Sequence, residues 1–382
     1  MAPDSPFQRP SIQIPKTQTV ALVCSLGGPV EFVSDYPVPT PGQDEVLAKV
    51  LYSGVCQSDL HTRLGTACGP DGRPITAIKL PHIGGHEGIG RIVSLGPGLA
   101  HRDPSIRAGG LVGIRFASRV CRRCEYCLAG TEQYCTNATN HLHHEDGAFQ
   151  EWVVLDAGYL TILPEVEGEE MLAALGPTLC AGVTAFKAVK NAEVQAGQWV
   201  VVVGAGGGLG LFAVHFAMVR GARVVGVDTG AEKKKAVEAA GAVFVDFRET
   251  EDLVGEVRKM TGAGAHAVVV TAGNSKAYAA AADMLRTGGT LAACGIPPDG
   301  GRLETTMAAV AIKGLKIVGN LVGSLKECLD AVALVQSGQV KPLVKVRPFR
   351  DLPVVYDELE KGDIAGRVVL KIGDDPAAGE HM

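Results

Sequence analysis

The chain has 382 residues, which is enough for two domains that each bury a core of their own. Hydrophobic residues make up 46% of it and charged residues 20%, and this composition excludes an intrinsically disordered protein. The formal net charge is −5 and the pI is about 6.1, which argues against a nucleic-acid partner, because phosphate recognition draws on a concentrated basic surface.

No apolar run of the eighteen or so residues that span a membrane is visible, and the first residues lack the apolar core of a secretory signal. We therefore expect a cytoplasmic protein with no membrane partner. In a reducing cytosol the ten cysteines are expected to be metal ligands or free thiols, because disulfides do not persist there.

The elements change in character along the chain. From Val20 to about Leu175, short strand-like segments such as EVLAKVLYSGVC and EGIGRIVSLG are interrupted by glycine and proline. From about Val183, strands (WVVVVG, RVVGVD, AVFVDF, HAVVVTA, TLAACG) alternate with helices (LGLFAVHFAMVRGA, EKKKAVEAAGA, EDLVGEVRKMTG, SKAYAAAADMLRTGG). This alternation predicts right-handed βαβ units and a buried parallel sheet. Beyond about Asn320, SLKECLDAVALVQSG predicts a helix and GRVVLKI a last strand.

The segment VVVVGAGGGLGLFAVHFA predicts a strand, a glycine-rich turn and a helix. Its spacing fits G-x-x-G-x-x-G, and Leu209 stands where a literal G-x-G-x-x-G would have its last glycine. In such a turn no side chain separates a pyrophosphate from the backbone N–H groups at the helix N-terminus. The cofactor-binding glycines predicted here are Gly204, Gly206, Gly207, Gly208 and Gly210.

Asp228 ends the next predicted strand, eighteen residues after Gly210. A carboxylate at this position accepts hydrogen bonds from the adenosine ribose and repels a 2′-phosphate, so NAD is favoured over NADP. Thr229 and Gly230 add no positive charge, whereas Lys233 is a nearby cation that could equally reach a ribose hydroxyl.

The segment CRRCEYCLAGTEQYC has the spacing C-x2-C-x2-C-x7-C, with Cys121, Cys124, Cys127 and Cys135. Four thiolates at this spacing predict a closed, tetrahedral structural zinc site. No helix rich in lysine or arginine follows, which argues against a nucleic-acid-binding finger.

A second set of possible metal ligands, Cys56, His86 and Cys180, is scattered along the chain. Two cysteines and one histidine make a catalytic zinc set with a free fourth position, but each could equally be a buried core residue, and their spacing alone decides nothing.

The motifs GVCQSDLH, KLPHIGGHEGIG, CRRCEYC, LCAGVTAFKA, GAGGGLG and GRVV occur in this order. Together they resemble the zinc-dependent medium-chain alcohol dehydrogenases, in particular their fungal, typically tetrameric branch, over residues 14–372. The resemblance implies an α/β fold with a GroES-like β-rich catalytic domain (1–178 and 320–382) and a Rossmann domain with a doubly wound parallel sheet (179–319). It also implies a homotetramer or homodimer.

By this resemblance, Cys56, His86 and Cys180 match the ligands of a catalytic zinc, and Glu87 matches the acidic neighbour that takes the fourth position without substrate. The resemblance implies a second, structural zinc on the clustered cysteines, Cys121, Cys124, Cys127 and Cys135.

Four further roles follow from the resemblance. Asp59 matches the carboxylate that orients the zinc histidine, and Ser58 matches the hydroxyl that binds the substrate oxygen. His61 matches the end of the proton relay, and Arg367 matches a pyrophosphate contact. The implied reaction is reversible hydride transfer between a primary alcohol or its aldehyde and NAD(H), with zinc stabilising the alkoxide and a Ser58–His61 relay carrying the proton.

The chain departs from the family at three places. Gln57 stands where the family often has Arg or His against the pyrophosphate, and Phe116 stands where Trp is common. Residues 65–80 are longer than usual and lack the aromatic side chain that narrows a small-alcohol pocket. These changes predict a substrate larger than ethanol. The alternative is that the added residues form a surface loop and Phe116 fills the same space.

Other functions stay open at this point. A polyol or secondary-alcohol dehydrogenase, or a ketone reductase, could use the same fold, although Cys180 argues against the polyol type, in which an acidic residue often takes that place. The full ligand set argues against a zinc-free quinone or enoyl reductase. The acidic pI argues against a zinc-finger nucleic-acid protein.

Overall fold

The computed structural model describes residues 13–376. Its strands are β1 (Thr17–Val23), β2 (Glu31–Pro37), β3 (Glu45–Gly54), β4 (His82–Ile83), β5 (Gly88–Leu95), β6 (Leu111–Ile114), β7 (Ala117–Arg119), β8 (Thr139–Asn140), β9 (Trp152–Asp156), β10 (Thr161–Ile162), β11 (Trp199–Val203), β12 (Arg223–Asp228), β13 (Val243–Asp246), β14 (Ala265–Val270), β15 (Leu285–Ala293), β16 (Lys316–Gly319), β17 (Val344–Pro348) and β18 (Arg367–Lys371). Its α-helices are α1 (Gln57–Leu64), α2 (Leu99–Arg102), α3 (Glu125–Leu128), α4 (Glu169–Pro177), α5 (Val183–Asn191), α6 (Gly208–Val219), α7 (Ala231–Ala239), α8 (Leu253–Thr261), α9 (Ser275–Ala279), α10 (Met307–Lys313), α11 (Leu325–Gln336) and α12 (Leu352–Lys361).

A mixed sheet with the order β10-β6-β5-β3-β18-β17, in which β9 also pairs with β3, forms the first layer. Strand β3 is buried along nearly its whole length because β5, β9 and β18 pair with it. Its side chains contribute to two cores, since Ala48 and Val50 pack within this unit while Leu51 and Tyr52 pack towards the helices of the second sheet. Two smaller sheets, β2-β1-β4 and β7-β8, flank it.

The second sheet is the predicted parallel one. Its order is β13-β12-β11-β14-β15-β16, and every neighbouring pair is parallel. The valines of β11 and β14 are buried on both faces, as the uninterrupted apolar runs predict. Strand β11 lies between β12 and β14, so successive strands are added first on one side of β11 and then on the other. Open α/β sheets bind their ligands at the point where the strand order reverses in this way.

One predicted helix is shorter than its sequence indicates. The alanine-rich stretch after Asn274 forms only α9 (Ser275–Ala279), and Leu285 already belongs to β15. Leu285 pairs with Ala265, and the chain passes so close to Gly264 that a Cβ there would lie 2.7 Å from the backbone N of Arg286. Strand pairing and burial of Leu285 therefore override the helix propensity of the alanines.

Helices α4 and α5 are joined by a π-helical turn, Thr178–Gly182, into one helix of 23 residues, Glu169–Asn191. By length and composition this helix could cross a membrane, since its mean hydropathy is 1.5, so the expectation that no apolar run is long enough is wrong. Core helices of folded proteins meet the same criteria, and 94% of the apolar window is buried here. The helix packs against β3 at one end and against α6 at the other.

The predicted domain boundaries stay a prediction. The parallel sheet runs from Trp199 to Gly319, inside the segment 179–319, while residues 1–12 and 377–382 of the predicted catalytic domain lie outside the described residues.

Candidate active site

The start of α1 prepares one wall of the site. Cys56 is its N-cap, and Asp59 at the third helical position accepts a hydrogen bond from the Cys56 backbone N at 3.0 Å. This capping box fixes the Asp59 carboxylate, which is 3% exposed. Its other oxygen accepts from the Gly85 backbone N and lies 3.0 Å from Nδ1 of His86. The side chain that begins the helix therefore also orients the histidine of the next strand connection.

The four side chains predicted to surround the catalytic zinc meet in one buried cluster. One ligand atom each from Cys56, His86, Glu87 and Cys180 lies within 4.8 Å of the others, although the first and the last are 124 positions apart in the chain. Nε2 of His86 lies 3.2 Å from Sγ of Cys180, so the ring points its second nitrogen into the cluster while Asp59 holds the first. A Cys2His donor set with this outer carboxylate fits zinc.

Cys180 reaches the cluster from the π-helical turn. The hydroxyls of Thr178 and Thr184 donate to the carbonyls of Ala174 and Cys180, on either side of the widened turn, at 2.8 and 2.7 Å. Single π-turns of this kind often occur at functional sites, because they turn one side chain out of the regular helical register.

The electrostatics of the cluster favour a thiolate at Cys56 and a strongly basic His86. A hydrogen bond from the Cys180 thiol lowers the pKa of Cys56 well below its ordinary value, and the positive charge of Arg367 acts in the same direction. Burial alone would lower the pKa of His86, but the Asp59 carboxylate raises it well above its ordinary value. The aspartate thus makes the histidine a stronger electron-pair donor. Of the two thiols, Cys56 is the one poised to ionise, because the hydrogen bond between them raises the pKa of Cys180 well above its ordinary value.

Glu87 links this cluster to the C-terminal segment. One of its carboxylate oxygens accepts a hydrogen bond from Arg367, and the other has no partner among the described residues although it is buried. Burial raises the pKa of Glu87 to about 7, while the Arg367 guanidinium opposes that shift. A buried carboxylate oxygen without a partner is costly, so a cation in the cluster would stabilise it.

The predicted relay residues lie on α1. Ser58 is half-buried in its first turn, and His61 lies one turn later. Nδ1 of His61 is 2.9 Å from the Thr66 hydroxyl, and its Nε2 is 3.4 Å from the amide nitrogen of Gln57. Burial lowers the pKa of His61, although the negative charge of a Cys56 thiolate opposes the shift, so the neutral ring is the form at neutral pH.

The glycine-rich turn has room for a phosphate and for little else. Gly204 has a φ of +85°, and a Cβ on Gly210 would lie 2.0 Å from the Gly204 carbonyl oxygen. A Cβ on Gly208 would collide with Arg367 at 1.8 Å, and the Arg367 Nε is buried without a partner among the described residues. The N-terminus of α6, with Gly207 as its N-cap, offers free backbone N–H groups at this turn. A dinucleotide pyrophosphate fits these features.

Asp228 ends β12 beside this turn. One of its oxygens accepts from the Gly206 backbone N at 2.9 Å, and the other accepts from Thr229 N and lies 3.4 Å from Nζ of Lys233. Leu209, between the last two glycines, is partly buried and packs against the core. The predicted cofactor-binding residues are therefore adjacent in space.

The four clustered cysteines also converge. Their Sγ atoms lie within 4.8 Å of one another, in a lobe between β7 and β8 whose first turn has a left-handed residue, Arg122, at φ +59°. Backbone N–H groups donate to sulfur, from Cys124 to Cys121 and from Cys121 to Cys135. The Arg123 backbone N–H is the main cause that lowers the pKa of Cys121 to about 6. This geometry fits a structural zinc.

Sequence reasoning missed several contacts at the site. The pair Glu87–Arg367 joins residues 280 positions apart, and no local pattern announces it. The contact between Thr66 and His61 is closer in sequence, and the end of α1 at Gly65 was the signal that the chain turns back there. Phe116, noted only as a substitution, has its ring edge-on to His86 with centroids 6.5 Å apart.

Comparisons with known proteins identify the family of the chain. Residues 42–165 match the alcohol dehydrogenase GroES-like domain, and residues 208–337 match the zinc-binding dehydrogenase domain. The chain is 38% identical to the alcohol dehydrogenase of Schizosaccharomyces pombe over 94% of its length and 99% of that protein. It is 37% identical to alcohol dehydrogenase 1 of Emericella nidulans over 94% of its length and 99% of that protein.

Solved structures show the same architecture. The alcohol dehydrogenase of Aeropyrum pernix superimposes with a TM-score of 0.82 at 30% identity, covering 92% of this chain and 99% of that one. The acetophenone reductase of Geotrichum candidum, solved with NAD, superimposes with a TM-score of 0.78 at 25% identity, covering 94% of this chain and 98% of that one. The predicted fold, a GroES-like unit joined to a Rossmann domain, is confirmed, and the chain belongs to the zinc-dependent medium-chain alcohol dehydrogenases.

Proposed function

We propose that the chain catalyses reversible hydride transfer between a primary alcohol or its aldehyde and NAD(H), with one catalytic and one structural zinc ion per chain. The observation that carries this proposal is Arg367. It pairs with Glu87 of the Cys56–His86–Cys180 cluster and also lies against Gly208 of the dinucleotide turn. A metal cluster and a cofactor turn that share one side chain are close enough to serve a single reaction.

Each residue has a defined task in this proposal. When bound, the catalytic zinc would act as a Lewis acid that lowers the pKa of the substrate hydroxyl. Asp59 keeps His86 in one orientation, and the Ser58 hydroxyl binds the substrate oxygen. His61, whose half-buried ring is neutral, accepts the proton that leaves. Arg367 binds the pyrophosphate.

NAD specificity is proposed from Asp228. Its carboxylate ends β12 beside the turn and is 7% exposed, so a 2′-phosphate would meet a negative charge there. Lys233 is already within 3.4 Å of Asp228, and this ion pair lessens its availability for a 2′-phosphate. NAD is also the cofactor in the solved acetophenone reductase complex.

We propose a substrate larger than ethanol. Phe116, which is smaller than the Trp common in the family, faces His86, and the segment 66–80 has no aromatic residue. A secondary alcohol is the second candidate, because the chain resembles an acetophenone reductase as well as alcohol dehydrogenases.

The test is a kinetic panel on protein of measured zinc content. It uses NAD and NADP with primary alcohols from ethanol to cinnamyl alcohol, branched and secondary alcohols, and NADH with the matching carbonyl compounds. We expect two zinc ions per chain, NAD-dependent turnover and a kcat/KM that rises with substrate size. A kcat/KM that peaks at ethanol contradicts the proposed pocket, and a preference for NADP contradicts the proposed role of Asp228.

A matched pair of variants tests the metal assignment. Cys180→Ala is expected to lose one zinc and the turnover, because it removes a ligand from the cluster. Cys328→Ala is the control, since Cys328 is equally buried but belongs to neither cluster. Loss of zinc from both variants, or from neither, contradicts the assignment.

We also propose a cytoplasmic homotetramer or homodimer. Strand β16 forms one edge of the parallel sheet, and apolar side chains near it are exposed, with Ile317 at 46% and Ile312 at 83%. A second copy could pair with this edge. Light scattering after size exclusion tests the assembly, and a monomer at micromolar concentration would contradict it.

A further inference from the structure

Residues 66–80, which lie in the segment 65–80 predicted to be longer than in the family, contain an ordered hairpin and are here called the inserted hairpin. Ile75 N donates to the Ala67 carbonyl at 2.7 Å. Its tip meets the nucleotide-binding unit, since a Cβ on Gly300 would lie 2.9 Å from the carbonyl oxygen of Gly72. The hairpin therefore extends from the end of α1 to the loop after β15, and it is not a free surface loop.

The last residues of the hairpin are fixed as well. The Lys79 backbone N donates to the carbonyl of His143 at 2.7 Å, and its Nζ pairs with Asp146. The hairpin is thus tied at its tip and at its end, and its first residue is held against α1. Such a segment can hold a side chain in one place, because few of its backbone groups are free to move.

Its first residue, Thr66, contacts His61 in two ways. The Thr66 backbone N donates to the His61 carbonyl at 2.9 Å, and the Thr66 hydroxyl lies 2.9 Å from Nδ1 of the ring. The Ala67 backbone N donates to the same carbonyl at 3.1 Å. These backbone contacts fix the position of Thr66. Its hydroxyl therefore faces the His61 ring without a rearrangement of the backbone.

The contacts at the other nitrogen define which tautomer fits. The amide nitrogen of Gln57 lies 3.4 Å from Nε2 of His61, and an amide nitrogen only donates. We assign this amide nitrogen as the donor, which makes Nε2 the acceptor, places the proton on Nδ1 and lets the Thr66 hydroxyl oxygen accept from Nδ1. In this tautomer the lone pair of Nε2 faces the Gln57 amide, and it takes up a proton when that contact is released. The resulting imidazolium keeps its hydrogen bond to Thr66, which becomes charge-assisted.

We propose that Thr66 is the positioning residue of His61: its hydroxyl holds the ring in the tautomer whose Nε2 accepts the proton that leaves the substrate. This inference rests on the proposed role of His61 in proton transfer. Thr66 touches neither the metal cluster nor the glycine turn among the contacts of the described residues. It therefore acts on the proton-transfer step and leaves cofactor binding unchanged.

The test compares three variants. Thr66→Val removes the hydroxyl at nearly constant volume, Thr66→Ser restores it, and Thr62→Val is the matched control. The Thr62 hydroxyl is next to His61 in sequence, buried, and without a partner among the described residues. All variants are first checked for zinc content and for NADH affinity by fluorescence titration, and we expect the values of the unmodified protein.

We expect Thr66→Val to lower kcat for alcohol oxidation about tenfold near neutral pH, as expected for loss of a hydrogen bond to a charged group, with KM for NAD unchanged. The acid limb of the pH–kcat profile should move, and Thr66→Ser should recover kcat to within about twofold. Unchanged kcat and pH profile in Thr66→Val, or a Thr66→Ser variant as slow as Thr66→Val, would overturn the proposal.

A second readout does not depend on turnover. The ¹⁵N shifts of the His61 ring, assigned by comparison with His61→Gln, report its tautomer directly. We expect the Nδ1–H form in the unmodified protein and a mixture in Thr66→Val. Identical tautomer populations overturn the positioning role, whereas absence of turnover with every alcohol, together with the expected shifts, would overturn the proposed function and leave the contact intact.

Discussion

Replacing Asp59 with asparagine tests the architecture of the metal cluster. The carboxylate accepts three hydrogen bonds while almost fully buried, from Cys56 N, Gly85 N and Nδ1 of His86. Asparagine has the same shape but one acceptor oxygen and one donor group. If the oxygen keeps its hydrogen bonds from Gly85 N and His86 Nδ1, the new NH2 group faces the Cys56 N–H. The NH2 group and the Cys56 N–H are then two donors without an acceptor.

The magnitude follows from these contacts. One buried donor without a partner costs about 1–3 kcal/mol of folding free energy, and the helix loses its capping box. The ring of His86 also loses the negative charge behind Nδ1. Removal of such an outer carboxylate typically weakens metal binding 10–100-fold, which corresponds to about 1.4–2.7 kcal/mol. We therefore expect one of two zinc ions to become labile.

The assay is a competition titration with a chromogenic chelator, with zinc counted by mass spectrometry. We expect Asp59→Asn to release one zinc at 10–100-fold lower chelator concentration and to retain the second. Asp330→Asn is the control, because Asp330 pairs with Lys326 on an exposed helix face far from either cluster in sequence. An Asp59→Asn protein whose two zinc ions leave together, at the chelator concentration of the unmodified protein, would refute the reasoning.

Three further predictions concern the cofactor and the pH dependence of stability. Asp228→Asn is expected to raise KM for NAD about tenfold and to make NADP turnover measurable, because the charge that repels a 2′-phosphate is gone; unchanged kinetics with both cofactors contradict this. Gln57→Arg is expected to tighten NAD binding and slow NADH release in stopped-flow displacement, and an unchanged NAD dissociation constant counts against it. Burial lowers the pKa of His82 from 6.5 to about 4, so the unfolded chain binds more protons than the folded one between these values. The free energy of unfolding should then fall by ~3 kcal/mol from pH 6.5 to pH 4 through this one group, and urea titrations of His82→Leu should show a smaller fall.

The Rossmann domain could be predicted almost completely from the sequence. Its strands are continuous valine-rich runs, and such runs are buried whatever surrounds them. The exception is the stretch after Asn274, where alanines favour a helix but pairing of Leu285 with Ala265 determines the strand. Local propensity cannot report a contact made by a neighbouring strand.

The candidate sites differ in how far sequence alone could reach. The four clustered cysteines are close in the chain, so their spacing indicates convergence. Cys56 and Cys180 are 124 positions apart, and their meeting was expected only from a family resemblance. The pairing of Arg367 with Glu87 could not be predicted, because it depends on how β18 is placed beside the dinucleotide turn.

The π-helical turn at Thr178–Gly182 divides the long helix into two parts, α4 and α5, whose side chains follow different angular registers. A regular α-helix advances by about 100° and 1.5 Å per residue. The wider turn therefore rotates the side chains of α5 about the helix axis relative to those of α4. The helix can thus present one face to the mixed sheet through α4 and a rotated face to α6 through α5. Loss of a single residue from this turn would rotate one domain's packing surface by about a quarter of a revolution against the other. The number of residues in the turn around Cys180 is therefore constrained, as well as the identity of Cys180 itself.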